Sequence, residues 1–310
     1  MPKDGQMFIY DTKGKTSMSR SFTSKDNSPS KQLWTPVIEA CDVTIEVNLG
    51  PTTNKEDLKL TMGYVNVGYR GFHTRPEREH GTKRRELSGS CNVDVVCSAS
   101  DGYPDIDDWR LQIPAAAVYS TGGSTFCSGT AINNKREDGT PFFLTANHCG
   151  ITPSNAASLV TYWNYETSTC GGTPNGVLNQ FTIGAQHLVS HEPSDVTLLK
   201  LTNPIDDSYG VTLAGWDTTS NAPNGVVAIH HPSTDEKRIS FEYQPTSFSS
   251  YGGSAGSGST HIRVNDWDSG TTERGSSGSA LFDINTKRIV GQLHGGGAAC
   301  GKLYHTFFIF

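Results

Sequence analysis

From residue 88 onward the apolar residues fall in short runs. Phe142–Ala146, Leu159–Trp163, Val196–Leu201, Val226–His230 and Arg288–His294 are rich in Val, Ile, Leu, Phe and Tyr, and Gly, Pro, Asn, Asp and Ser separate them. Runs of this length between turn residues predict strands, and no sustained 3.6-residue period argues for helix. The chain carries no internal repeat. Many short strands with frequent turns predict an all-β fold, a sandwich or closed barrels. The tract Ser249–Thr260 is almost entirely Gly and Ser and reads as a mobile loop between two strands.

Residues 1–85 have a different texture. Over Asp42–Leu49, Val43, Ile45, Val47 and Leu49 alternate with Thr44, Glu46 and Asn48, which predicts a half-buried strand. Thr12–Ser30 is rich in Ser, Thr and Lys. In His73–Arg85, seven of thirteen residues are Arg, Lys or Glu, so this stretch predicts an exposed connector. Such a run is often only a solvated face. This one ends in Lys83-Arg84-Arg85, six residues before Cys91, and that position favours a processing site.

A chain of 310 residues has room for two domains, or for one domain plus an extension. The net charge of −6 gives no reason to expect nucleic acid or anionic membrane as a partner. No stretch approaches the ~20 apolar residues of a membrane span. Six of the seven cysteines, Cys91, Cys97, Cys127, Cys149, Cys170 and Cys300, lie beyond residue 90, and Cys41 stands apart. An even set in one segment predicts three disulfides and an oxidising compartment. A zinc site is the weaker reading, because no CxxC pair occurs. Secretion is therefore expected. Residues 1–20 are largely polar and contain no apolar run long enough for a signal peptide, so either the start of the chain is missing or export takes another route.

Three segments carry candidate chemistry, in the order His, Asp, Ser. His148 follows the run Phe142–Leu144 and precedes Cys149. A histidine at a strand end, tied down by a cysteine, suits a general base whose reach is fixed. A Cys127–Cys149 bridge would clip this unit and add about 3 kcal/mol. In Glu273-Arg274-Gly275-Ser276-Ser277-Gly278-Ser279, small residues let backbone N–H groups converge and a carbonyl approach. The frame places a nucleophile at Ser277 and an oxyanion hole at the N–H groups of Gly275 and Ser277. Between them, Asp195 opens the apolar run Val196–Leu201, where a buried carboxylate would orient the imidazole. Asp206, Asp207 and Asp217 lie in turn-like contexts and rank below it. His187 and His191 would chelate a metal only on a helix, and loop histidines are the simpler reading.

TAxHC around His148, DxxLLKL from Asp195 and GSSGS around Ser277 resemble the chymotrypsin superfamily. SGSCNVDVVC (88–97), TYWNYETSTC (161–170), AGWD (214–217), AIHHPSTDEKRIS (228–240) and QLHGG (292–296) resemble the bacterial lysyl endopeptidases in particular. Residues 5–49 are similar to the pro-regions of secreted bacterial proteases. The resemblance implies two antiparallel six-stranded β-barrels preceded by a propeptide. Residues 1–85 would be the propeptide, incomplete at its start, 86–205 the first barrel and 206–310 the second. His148 and Asp195 would come from the first barrel and Ser277 from the second. It also implies the disulfides Cys91–Cys300, Cys97–Cys170 and Cys127–Cys149, with Cys41 discarded in the propeptide.

The implied activity is that of a monomeric serine endopeptidase, cut from its propeptide between Arg85 and Glu86, acting on peptides without metal or cofactor. Cleavage after lysine is expected, and two departures bear on it. Relatives read lysine with an aspartate beyond the LHGG strand, but Gly301–Phe310 contains no acid and does not match them, so the second barrel is expected to be incomplete. Thr271, six residues before Ser277, supplies none either. The aromatic-on-histidine stack at the pocket rim would be Tyr251 on His294. Two other readings follow: an impaired, protease-like binding protein, or a glutamyl endopeptidase, which the His294-Gly295 pair also resembles.

Overall fold

The computed structural model describes residues 1–13, 20–38, 40, 42–67, 88–218, 221–301 and 306–309. The tribasic run and the Arg85–Glu86 junction lie outside the described residues. Among those described, regular structure consists of strands and short 3-10 turns, and no helix is long and apolar enough to cross a membrane.

Among the described residues before 88 there are two strands, β1 (Gln6–Asp11) and β2 (Val43–Asn48), and they pair antiparallel. Next comes the two-residue β3 (Val93–Asp94). Then β4 (Ala116–Thr121), β5 (Thr125–Ile132), β6 (Phe142–Ala146), β7 (Val160–Trp163), β8 (Phe181–Ile183), β9 (Ala185–His191) and β10 (Val196–Leu201) form one sheet in the order β8-β7-β4-β5-β6-β10-β9. The remaining strands are β11 (Asn224–His230), β12 (Arg238–Pro245), β13 (Ser247–Ser249), β14 (His261–Val264), β15 (Ala280–Asp283), β16 (Ile289–Gly296) and β17 (Thr306–Ile309). With β3 they form a second antiparallel sheet in the order β13-β14-β17-β16-β15-β11-β12-β3. The sheets hold seven and eight strands rather than six each, because β8 on the first and β3 and β13 on the second are two- or three-residue strands added at the margins. Thr306–Ile309, a segment without a counterpart in the family resemblance, pairs with both β14 and β16.

Period-2 alternation gives each sheet its own core. On β10, Thr197, Leu199 and Leu201 point inward while Lys200 is exposed. Inside the first sheet Phe143 meets Tyr119 and Trp163 edge-to-face, at 5.7 and 6.0 Å between ring centroids. The second sheet closes on Val226, Ala228, Ile262, Leu281, Leu293 and Phe308.

β4 is buried on both faces. Its outer face carries Val118, which joins Val160, Tyr162, Phe181 and Ile183 in a cluster with Met7, Ile9 and Phe22 of the N-terminal segment. This corrects the reading of Asp42–Leu49 as half-buried. β2 forms, but Val43 and Ile45 are exposed, at 42% and 41%. Its neighbour β1 makes most of the contact through Met7 and Ile9, and β2 adds only the partly buried Val47, so alternation located the strand and overstated its burial.

The two sheets meet at the segments 231–235 and 273–279. Ser128 on β5 donates its N–H to the Ser277 carbonyl (2.9 Å) and its hydroxyl to the Gly275 carbonyl (2.8 Å), and accepts from the His231 N–H (3.0 Å). Behind this contact His230 is fully buried, and burial pushes its imidazole down to about 3. It is therefore neutral, and its neighbours fix the tautomer. The Ser240 hydroxyl donates to the Thr271 carbonyl (2.8 Å), so it must accept from His230 Nε2 (3.0 Å). His230 Nδ1 then accepts from the Ser276 hydroxyl (2.8 Å), and that oxygen in turn accepts from the Glu273 N–H (3.3 Å). His231, also buried, is lowered well below its ordinary value, first by burial and then by the charge of Lys237. It donates from Nδ1 to the Asp235 carbonyl at 2.9 Å.

This pair sets an acid dependence of stability. Below pH about 6.5 the unfolded chain takes up two protons that the folded chain refuses. Stability is therefore whole above that value and falls as the pH drops, His230 alone contributing about 1.4 kcal/mol per pH unit down to about 3 and His231 adding in the same direction. NMR titration checks the cause: the His230 imidazole is expected to stay neutral down to about pH 4 and that of His231 to titrate well below its ordinary value, and titration of either near 6.5 would refute it.

Candidate active site

His148 sits in the 3-10 turn Asn147–Cys149 that ends β6. Two bonds hold that turn. Its Asn147 N–H donates to the Asp195 carbonyl (2.9 Å), and Cys149 is joined to Cys127 on β5. The His148 side chain is 42% exposed, while that of Asp195 is 4% exposed. Asp195 lies between the turn Glu192–Ser194 and β10 with φ of +43°, a left-handed conformation uncommon for a residue with a side chain. That backbone aims both carboxylate oxygens at one neighbour. Oδ1 accepts from the His148 N–H at 2.7 Å, and Oδ2 accepts from His148 Nδ1 at 2.7 Å. A carboxylate only accepts, so Nδ1 carries the proton and Nε2 of the neutral ring keeps its lone pair. The Gln292 amide, reaching from β16, donates to the Asp195 carbonyl at 2.7 Å and ties the acid to the second sheet.

Ser277 is brought against the same corner. Gly278, at φ +82°, has no room for a side chain: a Cβ there would lie 2.5 Å from the Ser128 carbonyl and 2.7 Å from the Ala146 nitrogen, two residues before His148. The three serines of this loop are sorted by their surroundings. Ser276 is buried and spends its hydroxyl on His230, and Ser279 is buried, whereas Ser277 is partly exposed. The N–H groups of Ser276, Gly278 and Ser279 donate to Glu273, Leu293 and Ser276 carbonyls. Those of Gly275 and Ser277 have no partner among the described residues, which leaves two donors for a ligand oxygen.

A second histidine pair borders the acid. His294 Nε2 lies 3.7 Å from Asp195 Oδ2, and His294 Nδ1 shares a hydrogen bond of 3.0 Å with His261 Nε2. Burial is the main cause lowering the His294 imidazole, with the Asp195 carboxylate opposing it. Burial also lowers His261. Tyr251 stacks on His294 at 4.0 Å with 17° between the rings, so the Gly/Ser tract sends its one aromatic back to the site. His261 follows that tract, and no motif pointed to it.

The ligand atoms of His148, Asp195 and His294 lie within 4.8 Å of one another, close enough for a metal. Two of those atoms already share the short His148–Asp195 bond, which is the arrangement of an oriented imidazole. His187 and His191 lie on β9, where four residues span ~13 Å, too far to chelate one ion. The disulfides are Cys91–Cys300, Cys97–Cys170 and Cys127–Cys149. Thr271 lines a cavity of about 520 Å³ together with Asp266 and Asp268, acids that sequence spacing had not brought near it.

The chain was compared with known proteins. A curated lysyl endopeptidase of Pseudomonas aeruginosa is 32% identical over 298 residues, which span 90% of this chain and 60% of the relative's length. Among solved structures, a thermostable serine protease from an extremophilic microorganism aligns with a TM-score of 0.45 at 15% identity, covering 64% of this chain and 92% of that one. A Glu endopeptidase aligns with a TM-score of 0.42 at 16% identity, covering 64% and 85%. Residues 86–306 match the family described as lysyl endopeptidase, C-terminal domain. That match spans more than half of the chain, and on it the chain belongs to the lysyl endopeptidase family.

Proposed function

We propose that this chain is the precursor of a secreted serine endopeptidase that hydrolyses peptide bonds on the carboxyl side of lysine. The observation that carries this reading is the corner where an imidazole, protonated on the Asp195 side, adjoins a loop with one accessible serine and two unengaged N–H groups. In the reaction His148 Nε2 takes the proton of Ser277 as Oγ attacks the substrate carbonyl carbon. Asp195 holds the ring and stabilises its charged form. The Gly275 and Ser277 N–H groups receive the oxyanion, where charge develops. Collapse of the tetrahedral intermediate passes the proton from His148 to the leaving amine, and water then releases the acyl group by the same path. Three disulfides support an oxidising destination outside the cell. Lysine is the finer part of the proposal. It rests on the family and on the stack of Tyr251 on His294 at the rim of the site.

Ser277→Ala is expected to lower kcat by on the order of 10⁶, while Ser276→Ala and Ser279→Ala keep far more activity. A serine-directed phosphonate that labelled Ser276 or Ser279 would overturn the assignment.

Processing is expected between Arg85 and Glu86, because the tribasic run precedes the start of the family match. Edman sequencing of the processed protein reads this directly, and a terminus more than a few residues away would refute it.

Profiling on a peptide library tests specificity. A buried ammonium without a counter-charge costs several kcal/mol, and neither position 271 nor residues 301–310 supply an acid. Poor cleavage of lysine substrates, or none, is therefore expected. Efficient lysine cleavage would mean that an acid such as Asp266 or Asp268 serves the pocket. Preference for glutamate would favour the glutamyl reading. Absence of both hydrolysis and phosphonate labelling would leave the protease-like binding protein.

A further inference from the structure

The segment that opens the family match does more than lead into the fold. The Gly89 N–H donates to Glu273 Oε2 at 3.0 Å. One residue earlier, Ser88 gives Asp235 Oδ2 both its N–H (3.1 Å) and its hydroxyl (2.8 Å). These two acids sit at the bases of the segments that grip Gly275. The Ser233 N–H bonds the Arg274 carbonyl, and a Cβ on Gly275 would lie 2.6 Å from the Thr234 nitrogen and 3.0 Å from the His231 carbonyl. Glu273 itself closes the turn, its carbonyl accepting from the Ser276 N–H at 3.0 Å. Two residues after Gly89, the Cys91–Cys300 disulfide anchors the segment to the far end of the second sheet.

We propose that Glu273 is a positioning residue: through its bond to the Gly89 N–H it fixes the oxyanion loop 275–279, with Asp235 and Ser88 holding the adjoining segment. The proposal rests on the serine endopeptidase reading and adds to it how the two free N–H groups are kept pointing at one place. Three features carry it. Glu273 is four residues from Ser277, and its main chain and side chain bond in opposite directions, inward to Ser276 and outward to Gly89. Residue 89 has no room for a side chain, since a Cβ would stand 2.7 Å from Glu273 Oε1 and 2.3 Å from Cys300 Sγ. Both donors, finally, are peptide N–H groups. The clamp needs no free α-amine, so the loop is held in the uncut chain as well as in the processed one.

The test compares Glu273→Ala and Glu273→Gln in the full chain, reading kcat and KM on a peptide substrate, hydrogen–deuterium exchange of the peptide spanning 275–279, and the melting temperature. Glu273→Ala is expected to lower kcat on the order of 10-fold or more with KM within about twofold, because loop donors act on the transition state. It should also speed exchange in 275–279. Glu273→Gln keeps a carbonyl oxygen for the Gly89 N–H and is expected to restore most of kcat and of the protection. Wild-type exchange and kcat in Glu273→Ala would overturn the proposal, as would a Gln variant as impaired as the Ala variant. If the wild-type chain hydrolyses nothing, the endopeptidase reading fails alone, and the exchange comparison still decides whether Glu273 holds the loop.

Discussion

The structure of this site depends on how closely residues 275–278 approach the ends of β5 and β6. Gly278 has backbone against two sides of its Cα, and Ser128 spends its N–H and its hydroxyl on the carbonyls of Ser277 and Gly275. A serine on a loop of one sheet is thereby held beside a histidine at the end of a strand of the other, and the distance between their main chains is set by backbone contacts. Glycine is required there on two counts, space and positive φ, and a residue with a Cβ would push the sheets apart before it disturbed any reacting group.

The polar groups around this approach divide by charge. On the loop side the relay Glu273 N–H, Ser276, His230, Ser240 and Thr271 carbonyl is neutral throughout, with one proton for each acceptor. In a low-dielectric interior such a chain is satisfied without the cost of a buried charge. On the opposite side Asp195 is buried and has four donors, two from His148 to its carboxylate and two, from Asn147 and Gln292, to its carbonyl. The Asp195 carboxylate thus faces two imidazoles, bonded to His148 and 3.7 Å from His294. The relay behind Ser276 therefore adds no charge of its own beside Asp195 and the two unengaged N–H groups.

Much of the fold was legible because strands announce themselves locally. The runs around Phe143, Leu199 and Ile229 all became strands, and the residues flanking His148, Asp195 and Ser277 form the turns that hold them. Alternation went astray at Asp42–Leu49, since it reports that one face of a strand is apolar and says nothing about whether a partner strand covers it. The strands β3, β8 and β13, which lie at the margins of the sheets, are too short to have a period.

What the sequence hid is what acts through space. His261, Gln292 and Glu273 lie in three separate segments and share no spacing with the residues they support. His261 emerges from a Gly/Ser tract, Gln292 sits within an apolar strand, and Glu273 reads as an ordinary charge before a glycine loop. Only pairing brings them in. β14 sets His261 beside His294 once β17 lies between β14 and β16, and the register of β16 turns Gln292 toward Asp195. Reacting groups need particular residue types in a strict local frame, so they leave a motif. Supporting groups need only a donor or acceptor at the right distance, a demand that many residue types at many positions can meet, and a demand of that kind leaves little trace in a single sequence.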